Sequence, residues 1–244
     1  MVLIFAHRGM GQGANENTIL SFQRAIEAGA DGIELDVHES KDGELVVMHD
    51  ATVNRTTNGR GAVKNMTYAD IEQLDAGEGE HPPKLEDAIV LCSKADKLLN
   101  IEIKAPNIEK KVVNLVLRHN MQNEVIISSF GHAYLKTVKE LHSDLKTAVL
   151  VPKTPVCAII RTVTKLLQSN QGAYIEQAEA VSANGVNPLF TTCTEKFVRA
   201  ASQKGLEVYP WTVDLVSQAR GLVKWDVTGI ITNKPELLIK EFKK

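Results

Sequence analysis

Short apolar runs alternate along this chain with longer stretches whose apolar positions recur at helical spacing. Val2–Ala6 is a continuous apolar run, the pattern of a strand buried on both faces. Asn17 stands in the N-cap position before the helical pattern Ile19, Leu20, Phe22, Ala25, Ile26, which stops at Gly29. Gly32–Ser40 predicts a second strand. The turn Lys41-Asp42-Gly43 and the extended segment Glu44–Met48 add a hairpin to the main pattern. A polar stretch from Ala51 to Lys64 follows, a loop long enough to suggest a functional role.

The alternation then resumes. Helices are expected near Leu85–Lys94, Ile108–His119 and Ala133–His142, with strands at Leu98–Ile103, Val125–Ser129 and Thr147–Val151. A less defined helical region runs from Thr154 to about Glu179. The last three strands are expected at Ala180–Ala183, Leu206–Thr212 and Val227–Thr232, each followed by a helical pattern. Leaving the hairpin aside, eight strand–helix units predict a (β/α)₈ TIM barrel of class α/β. It is read as one barrel domain over 1–244, with a small hairpin and loop insertion after strand 2 at about 41–82. An open doubly wound sheet is the competitor, but Gly9, Gly11 and Gly13 do not form its phosphate-binding fingerprint.

With 244 residues and 43% hydrophobic content, the chain can bury one substantial core. Its 28 basic and 30 acidic residues leave a net charge of −2, without the basic field of a nucleic-acid binder. Val2–Ala6 is too short for a signal-peptide core, and no apolar run approaches bilayer length, so a soluble cytoplasmic protein without stable membrane association is expected. Cys92, Cys157 and Cys193 are odd in number and widely spaced, which favours buried thiols over disulfides or a zinc site.

Candidate chemistry collects where strands run out: Ala6-His7-Arg8-Gly9, Glu34-Leu35-Asp36, His49-Asp50 and Glu102-Ile103-Lys104. A barrel brings such ends round one mouth, and residues two apart in a strand face the same way. Glu34, Asp36 and Glu102 therefore predict a carboxylate cluster suited to a hard divalent ion, Mg²⁺ or Ca²⁺. The alternative is a structural network pairing Glu34 with Arg8 and Glu102 with Lys104, but two cations leave one buried acid uncompensated. His7 and His49 can exchange protons near neutrality. Arg8 and Lys104 suit phosphate oxygens. Trp211 could wall the site, and the remaining histidines, His38 among them, are read as surface or packing residues.

These residues sit in motifs that resemble the glycerophosphodiester phosphodiesterase family. Ala6-His7-Arg8-Gly9 followed by Asn15-Glu16-Asn17-Thr18 resembles its opening motif. Glu34-Leu35-Asp36-Val37, Val47-Met48-His49-Asp50 and Arg55-Thr56-Thr57-Asn58-Gly59 are similar to the next ones. Asn100-Ile101-Glu102-Ile103-Lys104, Trp211-Thr212-Val213 and Gly229-Ile230-Ile231-Thr232 extend the likeness over nearly the whole chain. The resemblance implies the barrel and metal-dependent hydrolysis of glycerophosphodiesters to glycerol 3-phosphate and an alcohol. It implies Glu34, Asp36 and Glu102 as metal ligands and His7 and His49 as general base and acid. Arg8 and Lys104 would hold the phosphate, with Asp50 in support.

Ala14 stands where the family usually has proline, Asp214 where asparagine is common, and Asn233 where aspartate is common. The last exchange is expected to bear on the choice of alcohol. A lysophospholipid-directed phosphodiesterase, a lyase that stops at a cyclic phosphate and a non-catalytic metabolite-binding barrel are the alternative readings. The last would be favoured by loss of a histidine or acid from the set, and none is lost.

Overall fold

In the computed structural model, which describes residues 1–10, 15–152 and 171–243, strand β1 (Leu3–His7) lies between two parallel neighbours. They are β2 (Gly32–Glu39) and β9 (Gly229–Thr232). Beyond β2 come β4 (Leu98–Ile103), β5 (Val125–Ser129), β6 (Lys146–Val151), β7 (Gly185–Pro188) and β8 (Glu207–Val208), all parallel. The order is β8-β7-β6-β5-β4-β2-β1-β9. Hydrogen bonds from Thr228 N to Val208 O and from Ile231 N to Pro210 O, each 3.0 Å, join the two ends. The result is the expected eight-stranded parallel barrel, nearly closed by its ladders.

Helices α1 (Ile19–Glu27), α3 (Leu85–Lys94), α4 (Glu109–Arg118), α5 (His132–Leu141), α6 (Gln171–Ala180), α7 (Glu195–Gln203), α8 (Val216–Lys224) and α9 (Pro235–Phe242) alternate with the strands. Outward-facing strand residues such as Ile4, Ile33, Leu99 and Ile127 share a core with Phe22, Ile89, Val112 and Leu135 of the helices. Inside the barrel a separate plug is built from Phe5, Ile126, Ala148, Tyr209 and Ile231. The rings of Phe5 and Tyr209 meet edge to face at 5.7 Å. Gly32 makes room for this plug, since a Cβ there would lie 2.5 Å from the Phe5 ring. Two residues further along, the inward positions turn polar: Phe5 is followed by His7, Gly32 by Glu34, and Leu98 by Asn100. The period of two thus sets a charged layer on an apolar floor.

The hairpin is present, with β3 (Leu45–Val47) antiparallel to β2. The stretch after it is more ordered than its polarity predicts. Val53 and Val63 join Val46, Met48, Tyr68 and Ile71 in a small core of their own, which includes the short helix α2 (Tyr68–Ile71). Among the described residues, no helix is long and apolar enough to cross a membrane.

Three expectations need correction. Thr18, not Asn17, caps α1: its hydroxyl accepts from Ser21 N at 3.2 Å, and the Ser21 hydroxyl accepts from Thr18 N at 3.2 Å. That reciprocal cap releases Asn17 to another partner. The strand expected at Ala180–Ala183 lies instead at Gly185–Pro188, because the buried face Tyr174, Ile175, Ala178 carries α6 as far as Ala180. Asn187 and Pro188 hide the strand's character in the sequence. Leu206–Thr212 keeps only Glu207–Val208 as strand, since Pro210 has no N–H to continue the ladder. Most of the helical region expected from Thr154 lies outside the described residues, as does Cys157. Cys92 and Cys193 are buried as expected.

Candidate active site

The chain leaves β1 through two left-handed residues, Arg8 at φ 57° and Gly9 at φ 79°. A side chain at Gly9 would put its Cβ 2.4 Å from the Ser21 hydroxyl. Arg8 tolerates the conformation because it is held at several points. Its N–H donates to Glu34 O at 2.8 Å. Its guanidinium donates to Glu16 Oε1 at 2.8 Å and lies 3.3 Å from Asp36 Oδ2.

Glu34, Asp36 and Glu102 meet at the mouth, with one carboxylate oxygen from each within 4.8 Å of the others. The register accounts for this: Glu34 and Asp36 share one face of β2, and Asp36 pairs with Glu102 of β4. Asp36 is only 1% exposed. Asn17, freed from capping, donates Nδ2 to Asp36 Oδ2 at 2.9 Å. Lys104 Nζ lies 3.4 Å from Asp36 Oδ1 and 2.9 Å from Glu102 Oε1. Both cations thus converge on Asp36. Of the alternative structural network, the Glu102–Lys104 pair is present, whereas Arg8 reaches the Glu34 carboxylate only through its backbone N–H, at 3.2 Å.

The charges follow from this geometry. Burial opposes ionisation of Asp36, yet Lys104 and then Arg8 hold its carboxyl down to about 2. Burial, followed by the repulsion of Asp36, pushes Glu102 up to about 7. Burial, with Asp36 and Glu102 beside it, raises Glu34 well above the usual carboxylate range. Asp36 Oδ1 takes no hydrogen bond among the described residues. Three clustered carboxylates, one oxygen of which has a long ion pair to Lys104 and no hydrogen bond, and two cations for three acids fit a hard divalent cation.

The two histidines are held differently. Nδ1 of His7 lies 2.7 Å from the Asn233 side-chain oxygen, and its Nε2 lies 3.9 Å from Glu34 Oε2. Nδ1 of His49 donates to the Asp50 carboxylate at 2.6 Å. Burial and then the Arg8 charge lower the pKa of His7. Burial also lowers that of His49, with the Asp36 charge acting against it.

Arg55 and Glu16 carry no role in the sequence reading. Arg55, from the insertion, donates to both Asp50 oxygens, Nε to Oδ2 at 2.7 Å and Nη2 to Oδ1 at 3.1 Å. It also donates to Glu16 Oε1 at 2.6 Å. Glu16 therefore bridges Arg8 and Arg55 and ties the insertion to the mouth. His38, expected as a surface or packing residue, packs behind the second histidine, with its Nε2 3.2 Å from the His49 carbonyl oxygen. That placement was legible, because 34, 36 and 38 share one face of β2.

The cavity between the histidines and the acids is closed on its far side by Ser128, Phe130, Asn187 and Trp211. Trp211 stacks edge to face on Phe130 at 5.7 Å and donates Nε1 to Asn187 O at 2.8 Å. Asn187 is fully buried, and neither atom of its carboxamide has a partner among the described residues. Asp214 and Asn233, the two positions with exchanged residue types, are hydrogen-bonded to each other. Asn233 therefore serves His7 and does not stand free at the mouth.

Residues 7–237 match the glycerophosphoryl diester phosphodiesterase family. A glycerophosphodiester phosphodiesterase of Caldanaerobacter subterraneus subsp. tengcongensis is 39% identical, over 99% of this chain and 98% of that protein. One from Bacillus subtilis is 33% identical, over 98% of this chain and 86% of its own length. Among solved structures, a glycerophosphodiester phosphodiesterase of Agrobacterium tumefaciens superposes with a TM-score of 0.83 at 26% identity, covering 98% of this chain and all of that one. An Oleispira antarctica phosphodiesterase, solved with the product sn-glycerol-3-phosphate, gives 0.83 at 25% identity, covering 99% and 97%.

Proposed function

The chain belongs to the glycerophosphoryl diester phosphodiesterase family, and from that premise we propose that its mouth performs metal-dependent hydrolysis by two-histidine acid–base catalysis. The observation that carries this reading is the meeting of three buried carboxylates with two histidines held by unlike partners. The substrate is a small glycerophosphodiester, in keeping with the product bound by the Oleispira antarctica phosphodiesterase.

Glu34, Asp36 and Glu102 would hold Mg²⁺ or Ca²⁺, which would supply concentrated positive charge to offset the extra charge that the phosphate gains in the transition state. Arg8 and Lys104 border the same space and add charge that counts most when the phosphorus is crowded. His7, its Nδ1 turned to an amide oxygen, presents Nε2 as the base that takes a proton from the glycerol 2-hydroxyl. The freed oxygen attacks phosphorus, the bond to the alcohol breaks, and a cyclic phosphate forms. His49, whose carboxylate partner favours its charged form, gives its proton to the departing alcohol. Water then opens the ring by the reverse transfers, leaving glycerol 3-phosphate.

Trp211 and Phe130 offer an apolar wall to the glycerol carbons, and Asn187 offers an amide to its hydroxyls. Phosphorus NMR during turnover tests the route. A transient cyclic glycerophosphate supports it, and undiminished hydrolysis of a substrate lacking the 2-hydroxyl would sink it.

A further inference from the structure

The hydrogen bonds behind His7 have only one consistent direction. Asp214 faces Asn233 with both carboxylate oxygens: Asn233 N donates to Oδ1 at 2.8 Å, and Asn233 Nδ2 donates to Oδ2 at 2.8 Å. The Thr232 hydroxyl donates to Oδ1 as well, at 3.2 Å. Thr232 is fully buried at the end of β9, and its hydroxyl also accepts from Lys234 N at 2.9 Å as α9 approaches. On the other side, Val213 N donates to Ile231 O at 3.0 Å and fixes Asp214 beside the strand.

A carboxylate can only accept, so the group aimed at Asp214 Oδ2 has to be the Asn233 NH₂. The Asn233 oxygen is thereby turned to His7 Nδ1, 2.7 Å away. That oxygen also only accepts, and Nδ1 has to carry the proton. Nε2 is left with its lone pair on the cavity side. An asparagine without such a partner could turn its amide over. Its NH₂ would then donate to Nδ1, the proton would sit on Nε2, and the base would be lost.

We propose that Asp214 and Asn233 are positioning residues that act as a one-way latch on His7, fixing its ring and its Nδ1–H tautomer so that Nε2 faces the substrate. The inference rests on His7 being the base, and it concerns which nitrogen holds the proton. His49 has the simpler device, a carboxylate directly on Nδ1.

Nitrogen NMR of the full chain labelled at histidine, read where the His7 ring is neutral, tests the latch together with steady-state kinetics. The native chain is expected to show protonated Nδ1 and bare Nε2. Asp214→Asn should mix the tautomers and lower kcat by about tenfold or more, with KM little changed, a part of the roughly 10²- to 10⁴-fold that a general base contributes. The double exchange Asp214→Asn with Asn233→Asp puts a carboxylate on Nδ1 and a complementary amide behind it. It should restore the Nδ1–H form and recover kcat relative to Asp214→Asn.

Retention of the pure Nδ1–H tautomer and native kcat in Asp214→Asn would overturn the proposal. If that variant does not fold, the double exchange decides: a folded protein with mixed tautomers overturns the latch. A native chain that shows the Nδ1–H tautomer but cleaves no glycerophosphodiester would contradict the functional reading and leave the latch standing.

Discussion

Asp50 accepts a 2.6 Å hydrogen bond from Nδ1 of His49, its own neighbour in the chain. Arg55 straps the same carboxylate from the insertion, and with His49 it keeps the Asp50 carboxyl well below the usual range. Asp50 therefore stays ionised wherever His49 works, and it favours the imidazolium. Asp50→Asn is expected to lower kcat by about 10²-fold, within the range that general acid–base catalysis contributes. Arg55→Ala, which leaves the His49–Asp50 contact in place, should cost less. Steady-state kinetics on the two variants check the order.

The acid cluster predicts how stability changes with pH when metal is stripped. Burial and Asp36 raise Glu102 from 4.5 to about 7 in the folded chain. Between those values the folded protein holds a proton that the unfolded chain has released, so stability falls as pH rises through this window. Glu34 acts in the same direction. Asp36, lowered from 3.8 to about 2, acts oppositely: its contribution is present above 3.8 and is lost as pH falls toward 2. His7 and His49 also pull against Glu102, because their lowered pKa values favour the folded state as pH rises toward 6.5. The acids' share is therefore read as the difference between melts of chelated native protein and chelated Glu102→Gln, with the native protein losing stability relative to the variant from about pH 4.5 to 7. A divalent ion at a hundred times its dissociation constant should restore about 2.7 kcal/mol at neutral pH. A difference between the two melts that does not change with pH would contradict the charge excess.

Asn187 should show function and stability moving apart. Asn187→Leu removes two buried polar atoms that have no partner among the described residues, and it is expected to raise stability by about 1 kcal/mol. Losing an amide contact to the glycerol hydroxyls should lower kcat/KM by about 3- to 10-fold. A melt and a kinetic assay on one preparation read both changes.

Gly9 is a structural test of the turn that carries Arg8. Gly9→Ala combines φ 79° with a Cβ 2.4 Å from the Ser21 hydroxyl and 2.8 Å from the Ser21 backbone carbon. Left-handed strain alone costs on the order of 1–3 kcal/mol, so the melting temperature should drop by about 5 °C or more. An unchanged melt would mean that the turn relaxes freely.

The barrel was legible because several strands buried on both faces show as short apolar runs, as in Val2–Ala6 and Ala148–Val151. The polar exceptions at strand ends were legible for the same reason, since Glu34, Asp36 and Glu102 interrupt runs that otherwise read as core. What escaped notice depends on partners distant in sequence. Strand β7 was misplaced because its inward residue is Asn187, whose surroundings come from Trp211. Arg55 sits in a loop that reads as polar and unstructured, and its ties to Glu16 and Asp50 exist only once the insertion folds over the mouth. Asp214 and Asn233 looked like two separate departures until β9 and the segment after β8 set them side by side.

The most direct measurement is glycerol 3-phosphate release from glycerophosphocholine and glycerophosphoethanolamine. It compares metal-stripped enzyme, enzyme restored with Mg²⁺ or Ca²⁺, and restored His7→Ala. Release that requires the ion and falls by about 10² or more in the variant is the predicted result. Undiminished release by the stripped enzyme, or by His7→Ala, would contradict the account.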